Sequence, residues 1–270
     1  GPPGHNCRFW GMVGQGYTSW LLDNQFHGTA SSTLRTLGGL NRDGWGFASY
    51  PSDTLFRRVL GGPVVRRGRP PADDPADPNF DVAVDEIQRL HPRALLAHVR
   101  TGTSGHWGLP NPHPFLHRSF AFAHNGGLPP DVCEELIAAD DATYLDRFPP
   151  EYISGTIDSE IYFLWLMCHR ETHPELSTAN ALREAAAMLW SRINGSRINF
   201  VLTQGDTLYA LCCSAYDTDD RVRYYPDDDP VSPFWIAASQ PMGTEGSRWA
   251  SIPATTLAVF VPGQTPSFYP

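Results

Sequence analysis

The sequence predicts a layered α+β domain, because its strands fall in groups instead of alternating with helices. The near-continuous apolar run of residues 94–99 is typical of a strand that is covered on both faces. Apolar residues then recur at helical spacing around Leu164 and again around Leu182. Two further apolar runs flank Gln204-Gly205-Asp206, which is a typical β-hairpin pattern. These observations favour an α+β domain over a βαβ fold.

The amino-terminal half is predicted to contain mainly strands. They cover residues 8–13, 44–50, 55–60, 94–99 and 120–124. One helix is predicted over residues 83–90, where apolar residues recur at i, i+4 and i+7. Asn79 and Asp81 are its candidate caps, and His91-Pro92 ends it. Residues 61–78 are rich in Pro, Arg and Asp, so they are predicted to form an exposed connection.

The carboxyl-terminal half is predicted to begin with two helices and to end in strands. The apolar positions of these helices are Ile161, Leu164, Trp165 and Cys168 in the first, and Leu182, Ala185, Ala186, Leu189 and Ile193 in the second. Asn194-Gly195 is predicted to close the second helix. After the hairpin, late strands are predicted over residues 234–238 and 256–261.

The composition disfavours two broad classes of protein. The formal net charge is −9 and aspartate pairs recur along the chain, whereas nucleic-acid binding needs a basic surface. No apolar run reaches the roughly 18 residues that a membrane-spanning helix needs. We therefore expect no nucleic acid and no membrane as partners.

Residues 1–6 lack the parts of a signal peptide, so we expect a leader there, either a propeptide or a cloning remnant. A single domain is expected over residues 7–270.

The five cysteines form neither a disulfide pattern nor a zinc-ribbon pattern. Their number is odd and no C-x-x-C spacing occurs, so a reducing cytoplasm is the expected compartment. Cys168 and Cys213 lie in apolar periodic segments and are predicted to belong to the core. The pattern does not decide the surroundings of Cys133 and Cys212.

Cys7, which leads directly into the first predicted strand, has two interpretations. Free cysteine is among the most buried residue types, so Cys7 could simply begin a core strand. Alternatively, it is a nucleophile whose own α-amine acts as the base. A model α-amine has a pKa of about 7.7–8.0, so part of it is neutral at pH 7 and able to accept the thiol proton. The position of the cysteine alone favours the first interpretation.

Three further stretches could supply what such a nucleophile needs, although each also has a purely structural interpretation. Arg100 follows a buried strand and either caps the sheet edge or binds a carboxylate through its planar fork. Asn125 and Gly126 form either a turn or an oxyanion hole made of an amide side chain and a backbone N–H. Asp158 is either the N-cap of the next helix or the partner of a substrate ammonium group.

Taken in order along the chain, these motifs resemble a known family. CRFWG, NRDGWG, HVRTGTSG, HNGGL and GTIDSE are similar to the class II glutamine amidotransferase domain of the N-terminal nucleophile hydrolases. Segments 199–213 and 235–241 resemble its stand-alone branch, which includes the γ-glutamyl hydrolase of ergothioneine biosynthesis and glutathione-degrading relatives. The resemblance spans most of the chain. It implies a four-layer αββα sandwich, with two antiparallel sheets between helical layers.

The resemblance also implies a role for each candidate site residue. Cys7 would be the catalytic nucleophile, and Asn125 and Gly126 would bind the oxyanion. The residues implied to contact the substrate are Arg100 for the α-carboxylate, Asp158 for the α-ammonium group, and Thr101 and Thr103 along the arginine loop.

Two features depart from the family pattern. Synthase-type relatives carry a Trp after the arginine and a His before the closing glycine of this loop, where the present chain has Thr101 and Ser104. In addition, residues 1–6 precede Cys7, the position at which mature members of the family begin.

We therefore expect a hydrolase that cleaves a γ-glutamyl amide through a Cys7 thioester, releasing glutamate and an amine. The expected partner is the small-molecule γ-glutamyl amide, without a metal or an organic cofactor, and a homo-oligomer stays open. His113-x-x-x-His117 lies in a Pro-broken stretch without further ligands, so no metal site is predicted there. Two alternatives also stay open, a glutaminase subunit that supplies ammonia to a partner synthase and a catalytically silent γ-glutamyl-binding protein.

Overall fold

The computed structural model describes residues 7–14, 43–52, 62–69, 74–100, 113–151, 158–215, 221–226, 233–240 and 248–270. The strands in these segments are β1 (Arg8–Gly14), β2 (Trp45–Tyr50), β3 (Val64–Gly68), β4 (Ala94–Val99), β5 (Phe115–His117), β6 (Phe120–Asn125), β7 (Asn199–Gln204), β8 (Thr207–Cys212), β9 (Arg223–Pro226), β10 (Phe234–Ala238), β11 (Ala250–Ser251), β12 (Thr256–Phe260) and β13 (Ser267–Tyr269). The helices are α1 (Asn79–Leu90), α2 (Pro130–Asp140), α3 (Tyr144–Arg147), α4 (Asp158–Thr172) and α5 (Thr178–Trp190). None of these helices has the length and apolar character needed to cross a membrane.

The described strands form two antiparallel sheets, which confirms the predicted fold class. Sheet A has the strand order β11-β9-β10-β1-β4-β2-β3, and sheet B has the order β13-β12-β8-β7-β6-β5. Neighbouring strands run antiparallel throughout both sheets. The predicted hairpin is confirmed as β7 and β8, where Gly205 adopts a φ of 60° in the connecting turn. The amino-terminal strand β1 lies inside sheet A, between β4 and β10.

Side-chain alternation along β1 shows how the layers stack. Phe9 and Val13 are buried between the two sheets, together with alanines of β6 and β8. Trp10 and Met12 point to the opposite face of sheet A, where they pack in one cluster with apolar residues of α1. Helix α1 therefore covers the outer face of sheet A.

A second helical layer covers the outer face of sheet B. In α4 every residue from Ser159 to His169 is buried, because α2 and α5 pack beside it and sheet B lies beneath it. The indole Nε1 of Trp165 donates a hydrogen bond of 2.9 Å to the carbonyl of Ala185 in α5. The described layers thus follow the order helix, sheet A, sheet B, helices.

Several boundaries differ from those predicted. β3 lies within the stretch 61–78 that was expected to be a connection, whereas the predicted strand 55–60 is outside the described residues. Asn79 and Asp81 do not cap α1, because the carboxylate of Asp77 accepts the Asn79 N–H at 2.9 Å. Helix α5 ends at Trp190, before the predicted Asn194-Gly195. The elements that the sequence did not predict are α2, α3, β3, β5, β9, β11 and β13.

We predict that Gly46→Ala destabilises the fold. An added Cβ would lie 1.9 Å from the carbonyl oxygen of His113, so the backbone between β2 and the start of β5 would have to separate. The free energy of unfolding, measured by urea denaturation, should fall by about 1–3 kcal/mol. Gly62→Ala is the control, because its added Cβ would meet Arg118 at an ordinary 3.5 Å. Equal stabilities of the two variants would contradict the prediction.

Candidate active site

The ends of three neighbouring strands lie side by side at one end of sheet A, and this row of strand ends is the first edge of the candidate site. Cys7 immediately precedes β1, and the register pairs Arg8 with Val99, the last residue of β4. Arg100 follows, and its N–H donates to the carbonyl of Gly44 at 2.9 Å. The Arg100 carbonyl accepts from the N–H of Asp43 at 3.0 Å. The antiparallel ladder therefore brings Cys7, Arg100 and the Asp43-Gly44 turn to the same edge.

The start of β1 is fixed by the end of β10. The Phe9 N–H donates to Ser239 Oγ at 3.1 Å, and the Ser239 N–H donates back to the Phe9 carbonyl at 3.0 Å. Arg8 Nε donates to Gln240 Oε1 at 2.7 Å. Because side chains alternate along a strand, Cys7 is on the same side as Phe9, which is the side facing sheet B. These bonds fix Arg8 and Phe9, the two residues that follow Cys7, to the residues that follow β10.

Cys7 differs from the other four cysteines in exposure. All five thiols are free, but only Cys7 is partly exposed, and the remaining four are buried. Burial raises the pKa of Cys168 and of Cys213 to about 12, and it also raises the pKa of Cys133. The predicted core positions of Cys168 and Cys213 are confirmed, and Cys133 and Cys212 are core residues as well. A thiolate is therefore most accessible at Cys7.

The corresponding edge of sheet B carries Asn125 and Gly126. Asn125 ends β6 on the face that points toward sheet A, since Ala121 and Ala123 of that strand belong to the core between the sheets. Its Oδ1 is buried and has no hydrogen-bond partner among the described residues. Gly126 has a φ of 139°, and a Cβ there would lie 2.1 Å from the Arg197 carbonyl oxygen. This backbone position requires glycine.

His124 connects this turn to the start of α4. Its Nε2 lies 3.0 Å from the carbonyl oxygen of Arg197, and its Nδ1 lies 2.9 Å from Ser159 Oγ. Because a carbonyl only accepts, Nε2 carries the proton and Nδ1 accepts from the Ser159 hydroxyl. Burial lowers the pKa of His124, against smaller opposing effects of Asp158 and the Arg197 carbonyl, and the neutral ring fits this pairing.

Asp158 lies beside the same turn. Its Oδ2 accepts the N–H of Leu128 at 2.9 Å, and its Oδ1 accepts the N–H of Ser159 at 2.8 Å. Asp158 is the first residue of α4, and its carboxylate is held against the loop that follows Gly126. Each oxygen retains a second lone pair for another donor.

His113 shows that both edges lie at the same end of the sandwich. It stacks on His98 of β4, with ring centroids 4.0 Å apart. Burial lowers the pKa of His113 well below its usual value, and His98, His124, Arg100 and Arg67 lower it further. Arg100 belongs to the sheet A edge and His124 to the sheet B edge, so His113 is within electrostatic reach of both.

Not every predicted site residue can be placed. Thr101 and Thr103 lie outside the described residues. His113 and His117 have separate surroundings, since His117 Nε2 lies 2.8 Å from Glu171 Oε1, whereas His113 stacks on His98. The sequence also gave no role to the groups that hold the site together. These are His124, Ser159, Arg197, Ser239 and Gln240, of which only Arg197 lies outside the motifs and segments that resemble the family.

A family model described as class-II glutamine amidotransferases matches residues 7–226. The chain belongs to the class II glutamine amidotransferases. The match begins at Cys7 and includes every candidate residue of both edges. This finding confirms the family that the ordered motifs indicated.

Several known proteins are similar to this class II chain. The probable glutamine amidotransferase DUG3 of Saccharomyces cerevisiae is 24% identical over 258 residues, covering 81% of this chain and 69% of DUG3. The solved glutamine aminotransferase class-II domain protein of Silicibacter pomeroyi has a TM-score of 0.61 and 21% identity, and the match covers 97% of this chain and 98% of that one. The glutamine phosphoribosylpyrophosphate amidotransferase of B. subtilis has a TM-score of 0.58 and 13% identity, over 97% of this chain and 49% of that one. The two solved structures share the fold.

We predict that Ser159→Ala loosens the connection between β6 and α4. The change removes the donor to His124 Nδ1 and leaves that buried nitrogen unsatisfied. The free energy of unfolding should fall by about 1–3 kcal/mol in urea denaturation. Ser191→Ala removes an exposed hydroxyl at the end of α5 and should stay within about 0.5 kcal/mol. A loss in Ser159→Ala no larger than in this control would show that the contact contributes little.

Proposed function

We propose that this class II amidotransferase domain hydrolyses a γ-glutamyl amide through a thioester on Cys7, releasing glutamate and an amine. The observation that carries the proposal is the meeting of two sheet edges at one end of the sandwich. Cys7 and Arg100 are on the first edge, and Asn125, Gly126 and Asp158 are on the second. Together they offer a nucleophile, a carboxylate binder, oxyanion donors and an ammonium binder.

The proposed reaction begins with the amine of Cys7. This nitrogen is a base only when it is a free α-amine, so the mechanism requires the bond between Asn6 and Cys7 to be cleaved. The neutral amine accepts the thiol proton, and the thiolate attacks the γ-carbonyl carbon. The C–N bond then breaks, and the proton passes to the departing amine. Water attacks the thioester, which releases glutamate and restores the thiol.

Asn125 and Gly126 are the proposed donors to the oxyanion. The negative charge that develops on the γ-carbonyl oxygen needs N–H groups already in position. Asn125 is buried at the end of β6, and the Nδ2 group of its side-chain amide is the proposed donor. The positive φ of Gly126 turns the chain directly after this amide. A donor of this kind typically contributes about 2.7–4 kcal/mol to the transition state.

Arg100 and Asp158 are proposed to bind the two charged groups of the glutamyl head. A guanidinium can form two parallel hydrogen bonds with an α-carboxylate. The Asp158 carboxylate is fixed by two backbone N–H groups, and its remaining lone pairs can accept from an α-ammonium group. Thr101 and Thr103 are proposed to line the same pocket.

The reduced state of the cysteines suits a reducing cytoplasm, which is the proposed compartment.

A glutaminase that supplies ammonia to a synthase is the second candidate function. The similarity to DUG3, a probable glutamine amidotransferase, favours it. Thr101 and Ser104 stand where synthase-type relatives carry Trp and His, which favours the hydrolase. Comparing kcat/KM for glutamine with kcat/KM for γ-glutamyl-cysteine and glutathione distinguishes the two. A preference for glutamine over every bulkier amide, raised further by a co-purifying partner, would establish the ammonia donor.

We predict that Cys7→Ala abolishes glutamate release while leaving the stability of the fold nearly unchanged. The other four thiols are buried and cannot substitute for Cys7. Activity should be measured on protein whose chain begins at residue 7, with terminal sequencing as the check. Cys133→Ala is the control and should keep its activity, because that thiol is buried beside α4. Wild-type release by Cys7→Ala would refute the mechanism.

We predict that Arg100→Lys and Asp158→Asn weaken recognition of the glutamyl head. Lysine cannot form the two parallel bonds of a guanidinium, and asparagine lacks the negative charge. Each change should lower kcat/KM by about 10- to 100-fold, since a hydrogen bond to a charged group contributes about 1.5–3 kcal/mol. Arg192→Lys, at an exposed ion pair with Glu135, is the control and should stay within about twofold.

A substrate analogue without its α-amine separates the two roles of Asp158. If Asp158 binds the ammonium group, the wild-type enzyme should discriminate strongly against the analogue and Asp158→Asn should not. Equal discrimination by both proteins would leave Asp158 as a structural residue at the start of α4 only.

A further inference from the structure

A cluster of metal-ligating groups lies outside the candidate active site. One ligand atom each from Asp140, His169 and His173 lies within 4.8 Å of the other two. Asp140 is the last residue of α2, His169 is in the last turn of α4, and His173 follows that helix directly. Asp158 begins the same helix, so a rise of about 1.5 Å per residue places the cluster roughly 16 Å away from it. The cluster is therefore at the opposite end of α4.

Asp140 Oδ2 is the atom on which the cluster converges. It lies 2.7 Å from His169 Nδ1 and 3.7 Å from His173 Nδ1. Zinc–ligand bonds of about 2.0–2.1 Å in a tetrahedral site place neighbouring ligand atoms about 3.3 Å apart. The two observed distances lie on either side of this spacing. His173 Nδ1 also lies 2.9 Å from the His169 carbonyl oxygen, so the His173 ring must rotate away from that carbonyl to bind an ion. The Thr172 hydroxyl lies 3.3 Å from Asp140 Oδ2, but its nearest acceptor is the Cys168 carbonyl at 2.9 Å.

Glu184 completes the surroundings of His169. Its Oε1 lies 3.0 Å from His169 Nε2, on the side of the ring away from Asp140. A metal-bound histidine commonly donates its second N–H to a carboxylate, which fixes the tautomer and the orientation of the ring. Glu184 is placed to accept this proton, and Nδ1 is then free to bind an ion.

The charges of the cluster also favour a divalent cation. Both nitrogens of the buried His169 ring face carboxylate oxygens, one of Asp140 and one of Glu184. A divalent ion bound to Nδ1 would balance the charge of these two carboxylates. Helices α2 and α4 both end here, and the partial negative charge of a helix carboxyl terminus favours cations.

We propose that Asp140, His169 and His173 bind one divalent transition-metal ion, for which Zn²⁺ is the best match. Two imidazoles and one carboxylate form a ligand set typical of zinc, and the i, i+4 spacing places both rings on one side of the helix. The fourth position is taken by water, because the side chain of His173 is 32% exposed. The ion fastens the end of α2 to the end of α4 and, through Glu184, to α5. It takes no part in amide hydrolysis.

Binding of Zn²⁺ to the full chain tests this site. The parent protein carries Cys7→Ala, so that the thiol does not bind the ion, and it is first dialysed against a chelator. Calorimetric titration should show one equivalent of Zn²⁺ per chain, and the Tm should rise with Zn²⁺. Co²⁺ should give the visible spectrum of a four-coordinate site. His173→Ala and Asp140→Asn should each weaken binding at least about tenfold, and Glu184→Gln by about 10- to 100-fold.

Matched controls separate this site from adventitious binding. Asp146→Asn changes an exposed carboxylate on α3, and His91→Asn changes an exposed histidine while tolerating its φ of 43°. Both should bind Zn²⁺ like the parent. Circular dichroism without metal should show that His173→Ala is folded, and this variant decides the result if Asp140→Asn is not folded. Absence of one-equivalent binding, or unchanged binding in His173→Ala, would overturn the proposal and leave His169 as a hydrogen-bonded bridge between two carboxylates.

Discussion

The close packing of the two sheets is the constraint on which the rest of the structure depends. The facing strands present small side chains to each other, among them Ala94, Ala121, Ala123, Ala210, Ala237 and Ala258. At Gly11 even a Cβ would come within 2.7 Å of the Leu208 side chain. One half of the candidate site lies on sheet A and the other half on sheet B. A larger residue between the sheets would therefore separate the nucleophile from its proposed oxyanion donors.

Helix α4 relates this packing to the site and to the metal cluster. It is buried along most of its length, so its position is set by sheet B and by the neighbouring helices. His124 and Leu128 bind its first residues, whereas Asp140 and Glu184 bind its last turn. Helix α4 thus connects α2 and α5, which contact its last turn, with the loop that follows Gly126, which contacts its first residue.

Local patterns in the sequence predicted three of the helices and most of the strands inside the two sheets, but missed the strands at the sheet edges. Strand β3 escaped prediction because its arginines look like those of a solvated loop. In the structure Arg66 lies on an edge strand and pairs with Glu86 of α1. Helix α2 follows two prolines and buries few apolar side chains, so it has only a weak helical pattern. Motif order indicated the site residues. It could not show that His124 contacts the Arg197 carbonyl, because 73 residues separate them.

The position of β1 has a consequence for the order in which the protein can fold. Its neighbours in sheet A are β4 and β10, and the bonds that hold Phe9 to Ser239 span 230 residues. Contacts of such long sequence separation form slowly, because the loop they close has a large entropic cost. During synthesis on the ribosome, the amino-terminal strand must wait until β10 has emerged. A chain that ends before β10 therefore cannot form the bonds between Phe9 and Ser239, so the residues next to Cys7 are held in place only after β10 has been made.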